Sequence, residues 1–147
     1  MGCMDGKTGL VVGIANDRSY AWFIAESIIR EGGTCLFTHL PGDKMERRAR
    51  KAIESLGVED PWLAPMDAST DESLDEAFAA IAQKTDTLDF LVHSIAFADK
   101  DWLKEGKFTA TPREVFTQAM DISAWTYMAM ANRALPMMSD GGSMLAM

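Results

Sequence analysis

Few side chains in this sequence are placed to do chemistry, and their spacing narrows what that chemistry is. The segment Gly13-Ile14-Ala15-Asn16-Asp17-Arg18-Ser19-Tyr20-Ala21 leaves an apolar run and enters helical periodicity. Glycine at 13 lets the chain turn sharply off a strand. Ser19 can cap the following helix with its hydroxyl, and Ala21 is small enough for that helix to lie close to a sheet. A helix so placed aims backbone N–H groups and a partial positive charge at an anion such as a pyrophosphate. The common dinucleotide spacing G-x-G-x-x-G is absent, and a Gly-to-Ser turn of this length opens many helices that hold no ligand. The histidines His39 and His93 both fall at the ends of apolar runs, and His93 reads as a buried strand residue rather than an acid or base. Cys35 lies inside a strand-like run and reads as packing, so no disulfide to Cys3 is expected. No metal site is read.

The elements that must position these residues follow from periodicity. Gly9–Ile14 reads as a buried strand, and Tyr20–Glu31 as an amphipathic helix with Ala21, Ile24, Ala25 and Ile28 on one stripe, stopped by Gly32-Gly33. Thr34–His39 is a second strand, and Asp43–Leu56 a charged helix closed by Gly57. Trp62–Met66 is a short third strand, which Pro65 confines to an edge. Ser69-Thr70-Asp71-Glu72 opens a helix carrying Leu74, Ala77, Phe78 and Ile81 on one face. Leu88–Ile95 is the fourth and most apolar strand. After a polar loop, helical periodicity runs from Pro112 to about Met138, and Ser143–Met147 begins a fifth strand. Strands alternating with helices at this spacing imply right-handed βαβ units: an α/β, doubly wound parallel sheet in the order 3-2-1-4-5. Ligands then bind at the carboxyl ends of strands 1 and 4, where the winding reverses.

Composition excludes several partners. The chain has 147 residues, 48% apolar and 24% charged, and a net charge of −8. This suits one globular domain and argues against nucleic acid, which is bound through clustered Lys and Arg. Arg47, Arg48, Arg50 and Lys51 do cluster, but Glu46 and Glu54 interleave at helical spacing, so they read as a solvated helix face. No apolar run approaches a membrane span, and Met1–Lys7 carries neither a secretory segment nor a fitting lipidation signal. A cytoplasmic address is expected.

The pattern Gly13-x5-Ser19-x-Ala21 resembles the modified glycine motif of divergent short-chain dehydrogenases, and among them that of the bacterial enoyl-acyl-carrier-protein reductases. Further blocks carry the resemblance: Gly6-Lys7, Arg30-Glu31-Gly32, Phe37-Thr38, Asp67, His93-Ser94-Ile95-Ala96-Phe97-Ala98 and Asp121-Ile122-Ser123. It implies reduction of trans-2-enoyl thioesters in fatty-acid synthesis with NADH or NADPH, a homo-oligomeric enzyme, and an acyl-carrier-protein-bound substrate. It also implies roles for matching positions. Gly13, Ser19 and Tyr20 lie near the pyrophosphate. Asp67 and Ala68 lie beside the adenine, Asp67 being alternatively a helix-initiating residue. Ser94, Ile95 and Ala96 line the cofactor, and Ile122 covers its nicotinamide side. Ile95 and Ile122 read, as residues alone, as core. His39 and Leu40 stand where relatives place an acidic or a basic residue for the ribose. With no Arg at that strand end the expectation leans to NADH, while nearby Lys44 and Arg47 leave NADPH open.

The family's catalytic pair, a Tyr and a Lys separated by six residues, has no counterpart. Tyr20 is followed at the Lys position by Ser27, and Tyr127 by Ala134. The expectation is therefore a single Rossmann domain over 1–147, ending within strand 5, with no catalytic residue and no reductase activity of its own. The alternatives are another divergent short-chain reductase, or a non-catalytic nucleotide-binding module. An unpaired outer edge of strand 5 and an apolar face of Ile122, Trp125, Met128, Ala129 and Leu135, among methionines at 128, 130, 137, 138, 144 and 147, predict a chain that is marginally stable or self-associating.

Overall fold

The computed structural model describes residues 2–147, so Met1 and what the sequence implied for it lie outside the described residues. Five parallel strands form one sheet in the order β3-β2-β1-β4-β5. They are β1 (Thr8–Val12), β2 (Thr34–His39), β3 (Leu63–Pro65), β4 (Phe90–His93) and β5 (Ser143–Ala146). The helices between them are α1 (Tyr20–Arg30), α2 (Asp43–Glu54), α3 (Asp71–Lys84), α4 (Arg113–Met120) and α5 (Thr126–Ala134). Order and parallel pairing are as the sequence predicted, and Pro65 does sit on an edge strand.

Strand alternation explains the two layers. Leu10 and Val12 of β1, Leu36 of β2 and Leu91 of β4 point to one face, where they pack with Leu74, Phe78 and Ile81 of α3 and Met130 of α5. Val11, Phe37, Phe90 and Val92 point to the other, against Ala21 and Ala25 of α1 and Ala52 and Ile53 of α2. Both faces are covered, so these strands read as continuous apolar runs rather than alternating ones. Ala21 is fully buried, as its small size allows. Burial pushes the Cys35 thiol up to about 12, which keeps it an inert packing group.

The predicted helix from Pro112 to Met138 is interrupted. α4 passes into a π turn over Asp121–Trp125, then α5, then a 3-10 turn over Leu135–Met137. No helix among the described residues is long and apolar enough to cross a membrane.

Candidate functional site

The conserved geometry of a doubly wound sheet places its crevice where neighbouring strands send their chains to opposite faces. Here that point lies between the carboxyl ends of β1 and β4. Gly13 leaves β1 at φ +108°, a conformation that disfavours a side chain, and a Cβ at this position would fall on the Ser94 carbonyl oxygen. The Ser94 amide in turn donates to the Val12 carbonyl at 3.0 Å. Two strand exits therefore touch backbone to backbone, and only glycine fits between them.

Beside this contact opens a cleft of about 440 Å³, within the roughly 300–1,000 Å³ range of small-molecule sites. Its walls come from the ends of four strands and from two helices. Seven of the nine residues singled out in the sequence line it: Gly13, Asp67, Ala68, Ser94, Ile95, Ala96 and Ile122. Ser19 and Tyr20 stand outside its lining, and the Tyr20 side chain is exposed.

Ser19 holds a different position from the one its motif suggested. Although it is the N-cap residue of α1, its hydroxyl makes no capping bond to the helix. It turns back instead and accepts from the amides of Ala15 and Asn16 at 3.1 and 3.2 Å, while the Asn16 side chain accepts from the Arg18 amide at 2.8 Å. The loop is thus tied from within. The first helical amides, at Tyr20 and Ala21, have no acceptor inside the helix, as at any N-terminus.

Asp67 is bound into the turn before α3 and also lines the cleft. One carboxylate oxygen accepts from the hydroxyl and the amide of Ser69 at 2.7 and 2.9 Å, which organises the turn before α3. Those bonds, the hydroxyl first, hold its carboxyl below the usual range. The residue also faces the cleft. The cap of α3 itself is Thr70, whose hydroxyl accepts from the Ser73 amide.

His39 and Leu40, which the resemblance set at the ribose end, close the cleft at the end of β2 together with Thr38, Met45 and Arg48, which were not anticipated. The His39 ring is fixed by a 2.8 Å bond between Nδ1 and the Leu40 carbonyl. The basic cluster on α2 divides: Arg50 is paired with Glu46 and Asp60, whereas Arg48 forms part of the cleft rim and is not merely a solvated charge. Helical spacing alone does not separate the two residues. Phe97 and Gln118 complete the far end, near Ile122. No group of three or more metal-ligating side chains is found among the described residues.

His93 lies beneath this site, fully buried. Its Nε2 is 2.8 Å from the Thr126 hydroxyl, which donates to the Ile122 carbonyl at 2.6 Å. Burial holds the imidazole pKa below its ordinary value, so the ring is neutral at physiological pH.

Comparison with known proteins gives the cleft a context. The chain is 38% identical over 147 residues to an enoyl-(acyl-carrier-protein) reductase (NADH) of Bacillus cereus, covering 100% of this chain and 57% of that protein. It is 39% identical to enoyl-(acyl-carrier-protein) reductase (NADH) 1 of Rhizobium meliloti, covering 99% of this chain and 52% of the relative. Among solved structures, the Anaplasma phagocytophilum reductase in complex with NAD is similar with a TM-score of 0.90 and 38% identity, covering 99% of this chain and 55% of that one. The chain thus spans about half the length of the curated relatives it matches. The family model described as enoyl-(acyl carrier protein) reductase matches residues 13–147, and the chain belongs to that family.

Proposed function

We propose that this chain is the dinucleotide-binding part of an NADH-dependent enoyl-(acyl-carrier-protein) reductase of fatty-acid synthesis, with NADPH also admissible. The observation that carries the reading is the cleft at the β1–β4 switch point, where Gly13 and Ser94 leave no room for a Cβ. Glycine at 13 lets the chain turn tightly against Ser94 as it leaves β1, and this turn leads into α1, whose N-terminus offers unpaired amides and a favourable dipole to a phosphate.

In this reading Gly13 and the first α1 amides receive the pyrophosphate, and Ser19 acts by fixing the loop that aims them. Tyr20 flanks the phosphates from outside the cleft wall. Asp67, ionised and with one oxygen unused by protein donors, accepts from the adenine amine, and Ala68 packs against the ring. Ser94, Ile95 and Ala96 line the middle of the cofactor. Ile122 covers the nicotinamide side, and with Ile95 and Phe97 it supplies apolar surface that excludes water there. When bound, NADH supplies the hydride for the enoyl double bond. The acyl-carrier-bound substrate belongs to the whole enzyme.

A cytoplasmic, homo-oligomeric protein suits two further features: both cysteines are free, and apolar side chains of α5 and β5 are exposed. Titration of the chain with NADH, read by cofactor fluorescence, tests the reading. Saturable binding that Gly13→Val abolishes is expected, whereas no saturable binding to the parent chain would refute it.

A further inference from the structure

The most unusual stretch of backbone lies beside the cleft. Over Asp121–Trp125 the helix widens into a π turn, and the Thr126 amide reaches back five residues to the Asp121 carbonyl. In an α-helix that amide would serve the Ile122 carbonyl. The Thr126 hydroxyl takes its place, donating to Ile122 at 2.6 Å. A hydroxyl has one proton to give, so the 2.8 Å contact with His93 requires Nε2–H of His93 to donate to the Thr126 oxygen. This fixes the tautomer and leaves Nδ1 as a bare lone pair, the one fully buried side-chain polar atom without a partner among the described residues. A second tie holds the same turn. The Ser123 hydroxyl accepts from the Phe97 amide at 3.0 Å and lies 3.2 Å from the Phe97 carbonyl, to which it donates. Phe97 and Ile122 both line the cleft, whereas His93, Thr126 and Ser123 do not.

We propose that His93 is a positioning residue: through Thr126 it holds the π turn in the register that sets Ile122 against the bound nicotinamide half of the cofactor. The inference rests on the dinucleotide reading of the cleft. Three features together support it. The relay is fully buried at both side chains, so water does not compete for its bonds. It joins β4, a rigid central strand, to the only widened turn of the helix. It also tolerates an unsatisfied nitrogen, a cost that packing alone would avoid with an apolar residue. π turns of this kind recur at functional sites because they redirect one or two side chains without ending the helix.

The chain is tested with NADH as the probe. Thr126→Ser keeps the hydroxyl and is expected to bind within about twofold of the parent. Thr126→Val, of similar volume, is expected to bind about tenfold more weakly, with helix content by circular dichroism unchanged. Equal affinity of the Val variant and the parent would overturn the proposal while leaving the cleft reading intact. Absence of NADH binding by the parent would overturn both. Because the Val variant leaves two buried groups unpaired and can unfold, long-range 1H–15N NMR of His93 in the unmodified chain provides a second test. A neutral ring protonated on Nε2, whose signal moves when NADH is added, is expected. A ring protonated on Nδ1, or an Nε2–H signal indifferent to NADH, would contradict the relay.

Discussion

The two sides of the sheet are built to different standards. From β3 to β4 both faces are covered, and Leu10, Val11, Phe37 and Leu91 are at most fractionally accessible. Beyond β4 the cover thins. β5 is an edge strand paired only with β4, and Leu145 is 48% exposed, Met128 61% and Leu135 60%. The cleft spans the two regions. Its Gly13, Asp67 and Ser94 wall belongs to the well-packed side, and its Ile122 wall is carried by a π turn on the sparser side. One end of the site is held by packing, the other by a short chain of hydrogen bonds.

The contrast breaks most severely at Gly13. Gly13→Val combines left-handed backbone strain with a clash on Ser94 and is expected to cost on the order of 4 kcal/mol in urea unfolding, with loss of NADH binding. Leu91→Ala, in the packed region, is expected to cost about 3 kcal/mol through cavity formation.

An intermediate effect depends on pH. The folded chain holds His93 below its ordinary 6.5, while the unfolded chain titrates near that value. The unfolded state therefore binds the proton more readily, and stability falls as pH drops below about 6.5, with a slope of up to about 1.4 kcal/mol per pH unit. His93→Gln can still donate to Thr126 but does not titrate, so its stability should flatten over that window. An unchanged slope would show that another group is responsible.

Smaller effects are expected at the surface. Ser19→Ala releases two loop amides and should cost about 1 kcal/mol, with a comparable loss of cofactor affinity. Leu135→Lys, on the sparse side, should change stability by less than about 0.5 kcal/mol yet reduce self-association measured by sedimentation. A large loss of stability there would mean that the sparse side is better packed than its exposure indicates.

Sequence made the packed side legible because its signals are local and redundant. Apolar runs, glycine stops and strand–helix alternation gave the strand order and the crevice at the ends of strands 1 and 4, and the family resemblance marked Asp67, Ser94, Ile95 and Ala96 as positions lining it. The rest depended on directions that spacing does not carry. The Ser19 hydroxyl could face the helix or the loop, and its proximity to the Ala15 and Asn16 amides decides for the loop. Arg48 reads like Arg47 and Arg50 until the fold sets Arg48 on the cleft rim and pairs Arg50 with Glu46 and Asp60. The π turn adds less than one residue per turn over five residues, too small a phase change to disturb the apolar periodicity from Pro112 to Met138. His93 looked like simple core, and only its bond to Thr126, 33 residues away, links it to the site.

The central claim is that the crevice between β1 and β4 is where a dinucleotide rests. Amide 1H–15N spectra of the labelled chain, recorded while NADH is added, test it residue by residue. The largest shifts are predicted at Gly13, Ser94 and Asp67, with a further set at Ile122 and Ser123. Saturable shifts gathered elsewhere, with those amides unmoved, would contradict the account.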